Sequence, residues 1–329
     1  MDDRRARDLE RAVAAVRAAA TAVARLGDPS SFAAAAVVEK GGRGPATVAD
    51  LASQAVIVRA LRAAEGAGVS IIAEESAEDV DALGGGPMWD LVVDAVRAVD
   101  ARMTASDVRA WLTNVDPPSS SGRCWTIDPL DGTKGYLRGG QYAIALSLLE
   151  DGVPVLGVLG LPRLGMLGDG AGLGVVIAAA RGGGAMQAGL DGGPFVRISC
   201  REWTRGSLIR LAGSVERAHS TTDSIEDTLA SRGPVTAVRV DSQAKYGLVA
   251  RGDADLYVRS SPDRSYRECI WDHAAGWMVA REAGCVVTDL RGAALAFGHG
   301  RRLERNQGVL CGSPALHQAA LDALTANSK

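Results

Sequence analysis

The stretch Trp125-Thr-Ile-Asp-Pro-Leu-Asp-Gly-Thr133 sets two carboxylates, Asp128 and Asp131, at the end of a short apolar run. A proline turn separates them and Gly132-Thr133 follows. Carboxylate oxygens are the hard ligands that Mg²⁺ takes, and the turn at Pro129 can aim the Leu130 carbonyl at the same ion. The amides of Gly132 and Thr133 stand where a helix could begin, and a helix start accepts an anion. Such a corner suits a metal and a phosphate together. It also suits an ordinary loop, because Asp-Pro and Asp-Gly pairs are common turn formers.

Three other acids stand at element boundaries. Asp50 follows Thr47 in the first turn of a helical stretch, Glu74 opens the Glu-Glu-Ser that ends an apolar run, and Asp272 precedes Ala-Ala-Gly-Trp-Met. Structural roles are open to each: an acid at a helix N-terminus for Asp50, a solvated strand end for Glu74, an N-cap for Asp272. A strand end is also where open sheets place ligands.

The elements that must position these residues follow from periodicity. Leu9, Val13, Val16, Ala20 and Val23 recur at helical spacing, so residues 8–25 are expected to form an amphipathic helix. A glycine-rich loop around residues 40–44 leads through Thr47 into a second helix, and 69–73 reads as a short strand. Residues 77–123 read as a weakly helical insert, a surface excursion or flap bracketed by Gly84-Gly-Gly and Pro117-Pro-Ser-Ser-Ser. Two apolar runs, 142–149 and 153–161, joined by Glu-Asp-Gly, signal a hairpin, and 174–180 reads as a further strand. From about residue 205, strands expected at 207–212, 236–240, 254–259, 285–289 and 308–312 alternate with helices at 243–252, 272–283 and 314–325. The expected division is therefore 1–204, helices on a largely antiparallel sheet, and 205–329, an α/β layer.

Composition narrows the classes. A length of 329 residues is enough for two domains or one large layered one. Thirty-six basic residues against 39 acidic ones give a net charge of -3, with no basic excess for nucleic acid, so a small-molecule partner is expected. Five scattered cysteines without a C-x-x-C pair disfavour a disulfide framework or a zinc site and suit reduced thiols in the cytoplasm. No signal peptide or membrane span is read from the sequence.

Four motifs in one order, Thr-Val-Ala-Asp50, Glu74-Glu-Ser, Trp-Thr-Ile-Asp-Pro-Leu-Asp-Gly-Thr133 and Trp-Asp272-His-Ala-Ala-Gly, resemble the Mg²⁺-dependent, lithium-sensitive phosphatase superfamily. That superfamily includes inositol monophosphatase, inositol polyphosphate 1-phosphatase and fructose-1,6-bisphosphatase. Within it, Asp131-Gly-Thr-Lys-Gly-Tyr-Leu-Arg, Asp241-Ser-Gln-Ala-Lys-Tyr and Tyr257-Val-Arg are most similar to the 3'(2'),5'-bisphosphate nucleotidases. These motifs span 37–76 and 124–312. Tyr136 stands where that family usually has Phe, and Cys285 where it usually has a second glycine.

The resemblance implies an α/β fold layered as an αβαβα sandwich. It implies removal of the 3'-phosphate from adenosine 3',5'-bisphosphate, and often from its sulfated form, with two or three Mg²⁺ as cofactor. By the same resemblance, Glu74, Asp128 and the Leu130 carbonyl would hold one ion, Asp128, Asp131 and Asp272 a second, and Asp50 with Glu74 a third. Thr133, hydrogen-bonded to Asp50, would orient and deprotonate the attacking water, and the Gly132 amide would meet the phosphate. His219, Ser242, Lys245 and Arg259 match positions around the second phosphate and ribose. Five carboxylates in one place would repel without cations, which favours a metal site over separate caps and turns. An inositol or sugar phosphatase on the same fold, or a module that binds a nucleotide without turning it over, would use many of the same residues.

Overall fold

The computed structural model describes residues 2–27, 37–39, 45–83, 85–113, 122–166, 174–215, 222–261, 263 and 265–326. The glycine-rich loop at 40–44, the Pro-Ser run at 117–121 and His219 lie outside them.

Layers of helix and sheet alternate through the molecule. The outer helices are α1 (Asp3–Arg25) and α2 (Val48–Glu65). Their apolar faces, Val16, Leu51 and Ile57 among them, pack on one face of a seven-stranded sheet. That sheet runs β3 (Ser70–Ala73), β4 (Arg123–Asp131), β5 (Ala143–Glu150), β6 (Val153–Leu161), β7 (Val175–Ala180), β8 (Gly184–Gly189) and β9 (Gly192–Ile198) in order. Only the β3–β4 pair is parallel. A small ribbon, β1 (Val37–Glu39) with β2 (Pro45–Thr47), precedes α2. The hairpin expected from Glu-Asp-Gly joins β5 to β6, and Asp151 (φ 48°) and Gly152 (φ 72°) are both left-handed there. That is the backbone a two-residue turn needs to match strand twist.

The insert at 77–123 is more integrated than a surface excursion. It forms α3 (Ala77–Leu83), α4 (Pro87–Arg97) and α5 (Ala105–Thr113), and Val80, Val92, Val96, Val108 and Leu112 are buried in the same core as α1 and α2. Val92, Val93 and Val96 share one helical face, a stripe too short to dominate the charged residues around it in the sequence.

Alternation in the strands explains the next layer. Ile144, Leu146 and Leu148 face α1 and α2, whereas Ala143 and Ala145 face the opposite way. On that opposite face lie α8 (Ala244–Arg251) and α9 (Ala274–Glu282), both rich in alanine and glycine. Behind them stands a five-stranded mixed sheet ordered β11 (Val235–Arg239), β10 (Ile209–Gly213), β12 (Leu256–Arg259), β14 (Val309–Gly312) and β13 (Val286–Thr288). Helices α7 (Thr222–Ala230) and α10 (Pro314–Ala326) cover its outer face through Leu229, Leu316 and Ala320. The result is the αβαβα arrangement expected. No helix among the described residues is long and apolar enough to cross a membrane.

Candidate active site

In a regular strand, residues three apart point to opposite faces. Asp128 and Asp131 escape that rule because β4 carries a bulge between them: Asp128 pairs with Ala145 and Asp131 with Ala143, so three steps on β4 match two on β5. The extra residue restores a common face. Pro129 sits in the bulge, where a missing N–H costs least, and its carbonyl accepts from Ser53 Oγ on α2 at 2.7 Å. A short helix, α6 (Thr133–Leu137), starts directly after Gly132, whose φ of 88° is left-handed.

Topology brings in the other acids. Because β3 runs parallel to β4, Glu74 emerges beside Asp128 at the same sheet end, and its amide donates to the Ile127 carbonyl at 3.1 Å. Its neighbour Glu75 is fully buried and held by Gln54 of α2, which donates to the Glu75 carbonyl at 3.0 Å and accepts from its amide at 3.1 Å. The capping expected of Asp272 falls elsewhere, since His273 occupies the N-cap of α9 and makes no side-chain cap bond. Asp272, one residue earlier, lines the cleft instead. Gln243, which sequence reasoning passed over, ties these pieces together. Its amide donates to Asp131 Oδ2 at 2.5 Å, its side chain donates to the Trp271 carbonyl at 2.9 Å, and it accepts from the Gly276 amide at 3.1 Å.

A cleft of about 300 Å³ opens over these residues. Glu74, Asp131, Gly132, Thr133 and Asp272 line it together with Ser242, Lys245 and Arg259. Asp128 lies buried just below. Burial, then the charges of Glu74, Asp131 and Asp272, push its carboxyl well above the usual range. Asp272 is raised the same way by burial, then by Asp131, Glu74 and Glu268. Burial also raises Asp131, against the pull of Lys245. Among the described residues, no hydrogen-bond donor reaches the buried Asp128 Oδ1. A donor-less carboxylate oxygen among acids that raise one another is satisfied by a divalent cation, so the residues fit the metal.

Asp50 and Thr133 need separate description. Asp50 closes a capping box at the start of α2, its Oδ2 accepting from the Thr47 amide at 2.8 Å and the Thr47 hydroxyl at 2.6 Å. The Thr133 hydroxyl donates to the Leu130 carbonyl at 3.3 Å.

Ser242, close to Gly132, holds a left-handed φ of 71°, unusual for a residue with a Cβ. Lys245, which could have been a surface charge, is buried with its Nζ 5.6 Å from the Tyr257 ring centroid and 3.4 Å from Ser214 Oγ. Burial lowers it to about 8. Two further residues went unseen in the sequence. Ligand atoms of Glu268 and His273 come within 4.8 Å of each other and of Asp272. Their signal was adjacency to the Trp-Asp-His motif, which by itself marks many bystanders.

The inositol monophosphatase family model matches residues 7–329, a wider span than the motifs alone. A 3'(2'),5'-bisphosphate nucleotidase from Oryza sativa is 37% identical, over 95% of this chain and 94% of its own length. Another from Emericella nidulans is 36% identical over 87% and 89%. Among solved structures, an IMPase from Thermotoga maritima shares the fold at a TM-score of 0.64 and 19% identity, covering 97% of this chain and 96% of its own. Matched along nearly its whole length, the chain belongs to the inositol monophosphatase family.

Proposed function

We propose that this enzyme hydrolyses the 3'-phosphate of adenosine 3',5'-bisphosphate to give AMP and phosphate, and that it converts 3'-phosphoadenylyl sulfate to adenylyl sulfate in the same way. The observation that carries this reading is the mixed lining of the cleft, where the cations Lys245 and Arg259 stand with the acids Glu74, Asp131 and Asp272. A monoester needs only the acids with their metal ions. A second, fixed pair of cations is what a second phosphate would use. The naming of the rice and Emericella relatives points the same way.

Glu74, Asp128, the Leu130 carbonyl, Asp131, Asp272 and Asp50 would hold two or three Mg²⁺, which when bound neutralise the phosphate and make a bound water nucleophilic near neutral pH. The protein's own residues do the rest. Gly132 presents its amide to a phosphate oxygen from the left-handed turn before α6. Thr133 orients the attacking water, whose proton passes towards Asp50. Water oxygen bonds to phosphorus as the bond to the ribose 3'-oxygen breaks, and that oxygen takes up a proton. Lys245 and Arg259 hold the 5'-phosphate, with Ser242 between them and Gly132. His219 is assigned to the same end of the nucleotide.

Phosphate release in excess Mg²⁺ from adenosine 3',5'-bisphosphate, inositol 1-phosphate and fructose 1,6-bisphosphate tests the reading. The nucleotide is expected to be turned over fastest. Faster release from inositol 1-phosphate would make the second cation pair irrelevant and overturn the substrate assignment.

A further inference from the structure

Arg259 is held along one edge by Glu268, which with His273 also lines the cleft. Its Nε donates to Glu268 Oε1 at 3.0 Å, while its two terminal nitrogens, at the cleft wall, donate to no protein acceptor among the described residues. Glu268 is 3% exposed, and its second oxygen faces His273 Nε2 at 3.5 Å. His273 Nδ1 in turn shares a 2.9 Å hydrogen bond with the Tyr246 hydroxyl. Tyr246 is fully buried and meets Tyr257 edge-on at 4.9 Å, the same Tyr257 ring that lies beside Lys245. The row Arg259, Glu268, His273, Tyr246 thus runs from the cleft wall into the core between α8 and α9.

A carboxylate is the wrong charge to place there for anion binding. Glu268 repels both a phosphate and Asp272, so attraction for the phosphate does not explain it. Geometry does. A guanidinium anchored at Nε has lost its freedom to rotate, and the fork left over suits two oxygens of one phosphate. The rotamer entropy that a mobile arginine would lose on binding is already spent.

We propose that Glu268, backed by His273 and Tyr246, is a positioning residue that locks the Arg259 fork towards the second phosphate and so sets the preference for bisphosphates over monoesters. This rests on the nucleotidase reading above.

A double-mutant cycle tests it, with KM and kcat measured on adenosine 3',5'-bisphosphate and on adenosine 3'-monophosphate. Glu268→Ala is expected to raise KM for the bisphosphate about tenfold, with kcat within about twofold and the monophosphate KM nearly unchanged. In an Arg259→Ala background the same substitution should add nothing, because its effect runs through the arginine. Glu268→Gln keeps an acceptor for Nε and removes the charge, so it should stay within about threefold of wild type. An equal rise in both backgrounds, an equal rise on both substrates, or a full loss in Glu268→Gln would each overturn the proposal. Should Glu268→Ala not fold, Tyr246→Phe keeps the packed ring and removes only the hydroxyl. It is expected to raise the bisphosphate KM roughly threefold, and only when Arg259 is present. No change there would count against the row. A wild type that hydrolyses inositol 1-phosphate and ignores the nucleotide overturns the nucleotidase reading instead. The cycle run on that ester then decides the positioning role by whether the two substitutions remain coupled.

Discussion

A lysine inside a protein gives up some of its basicity, and Lys245 shows what that does to binding. Burial brings it to about 8, partly offset by the charge of Asp131. Below that pH it is a cation facing the second phosphate, and above it the charge is lost. KM for the bisphosphate should therefore climb as pH rises through about 8, with little change for a 3'-monophosphate. Lys245→Arg, which keeps its charge at any accessible pH, should flatten the climb. A KM–pH profile identical in wild type and variant would remove Lys245 from this role. Stability moves in the opposite sense. The unfolded lysine holds its proton to about 10.5, so between about 8 and 10.5 the unfolded chain binds more protons and folding gains as pH rises. The acids make a different prediction. Asp131→Asn and Asp272→Asn should lower kcat by roughly a hundred- to a thousandfold, the range for losing one preorganised electrostatic group. Each also removes one charge from a mutually repelling set. Metal-free thermal unfolding should then be unchanged or higher, and a variant that stayed active would remove its carboxylate from the metal set.

Elements matter where backbones come close. Gly276 on α9 lies against Tyr246 of α8, and a methyl group at 276 would drive into that ring. Lys245 sits on α8 and Asp272 two residues before α9, so the spacing of the two helices sets the distance between metal side and phosphate side. Gly276→Ala is expected to cost about 1–3 kcal/mol of stability as overpacking. It should also raise KM for the bisphosphate more than for the monophosphate, and calorimetry with paired kinetics checks both. Unaltered KM with lowered stability would mean that the helices absorb the methyl without moving the walls. Gly132 faces a stricter limit. Its φ of 88° is left-handed, and a Cβ there would sit 3.1 Å from Ser242 Cβ. Long periodic elements were the legible ones. The α1 stripe, the β5–β6 hairpin and the five C-terminal strands lie within a few residues of their expected places. Strands β8 and β9 were not, because Gly-Ala-Met-Gln-Ala-Gly and Gly-Gly-Pro-Phe-Val-Arg-Ile carry too little alternation to outweigh their glycines. The turn read at Pro129 is a bulge inside β4, and nothing in the sequence showed that the strand continues through it to Asp131.

At the scale of the molecule, the cleft lies where the antiparallel N-terminal part meets the α/β layer, and neither part holds it alone. Glu74, Asp128 and Asp131 come from the ends of two strands in one sheet, while Asp272, Lys245 and Arg259 come from the other part. Chemistry-bearing types could be read in sequence because four short motifs each carried an acid. The residues that join them could not, since Gln243 and Glu268 act through bonds to partners far along the chain. Bringing the acids together has a thermodynamic consequence for the whole fold. Asp128, Asp131 and Asp272 are all raised above their ordinary values by burial, and Asp128 and Asp272 also by one another's neighbours. A carboxyl with a raised folded pKa binds protons more tightly in the native state. Its stabilising contribution is present at low pH and disappears as pH rises through the folded value. Without metal, stability should therefore fall as the acids ionise against each other. A divalent cation that binds only the native state reverses this by an amount that grows with its concentration over Kd, about 2.7 kcal/mol at a hundredfold excess. At lower pH the ion must displace protons to bind, and at higher pH it meets carboxylates already charged. The rise in melting temperature on adding Mg²⁺ to chelator-treated protein should thus be small at the lower pH and clearly larger at the higher one. Asp128→Asn should shrink that difference. Equal shifts at both pH values would mean that the buried acids do not form the metal site, and the chemistry proposed for the cleft would lose its foundation.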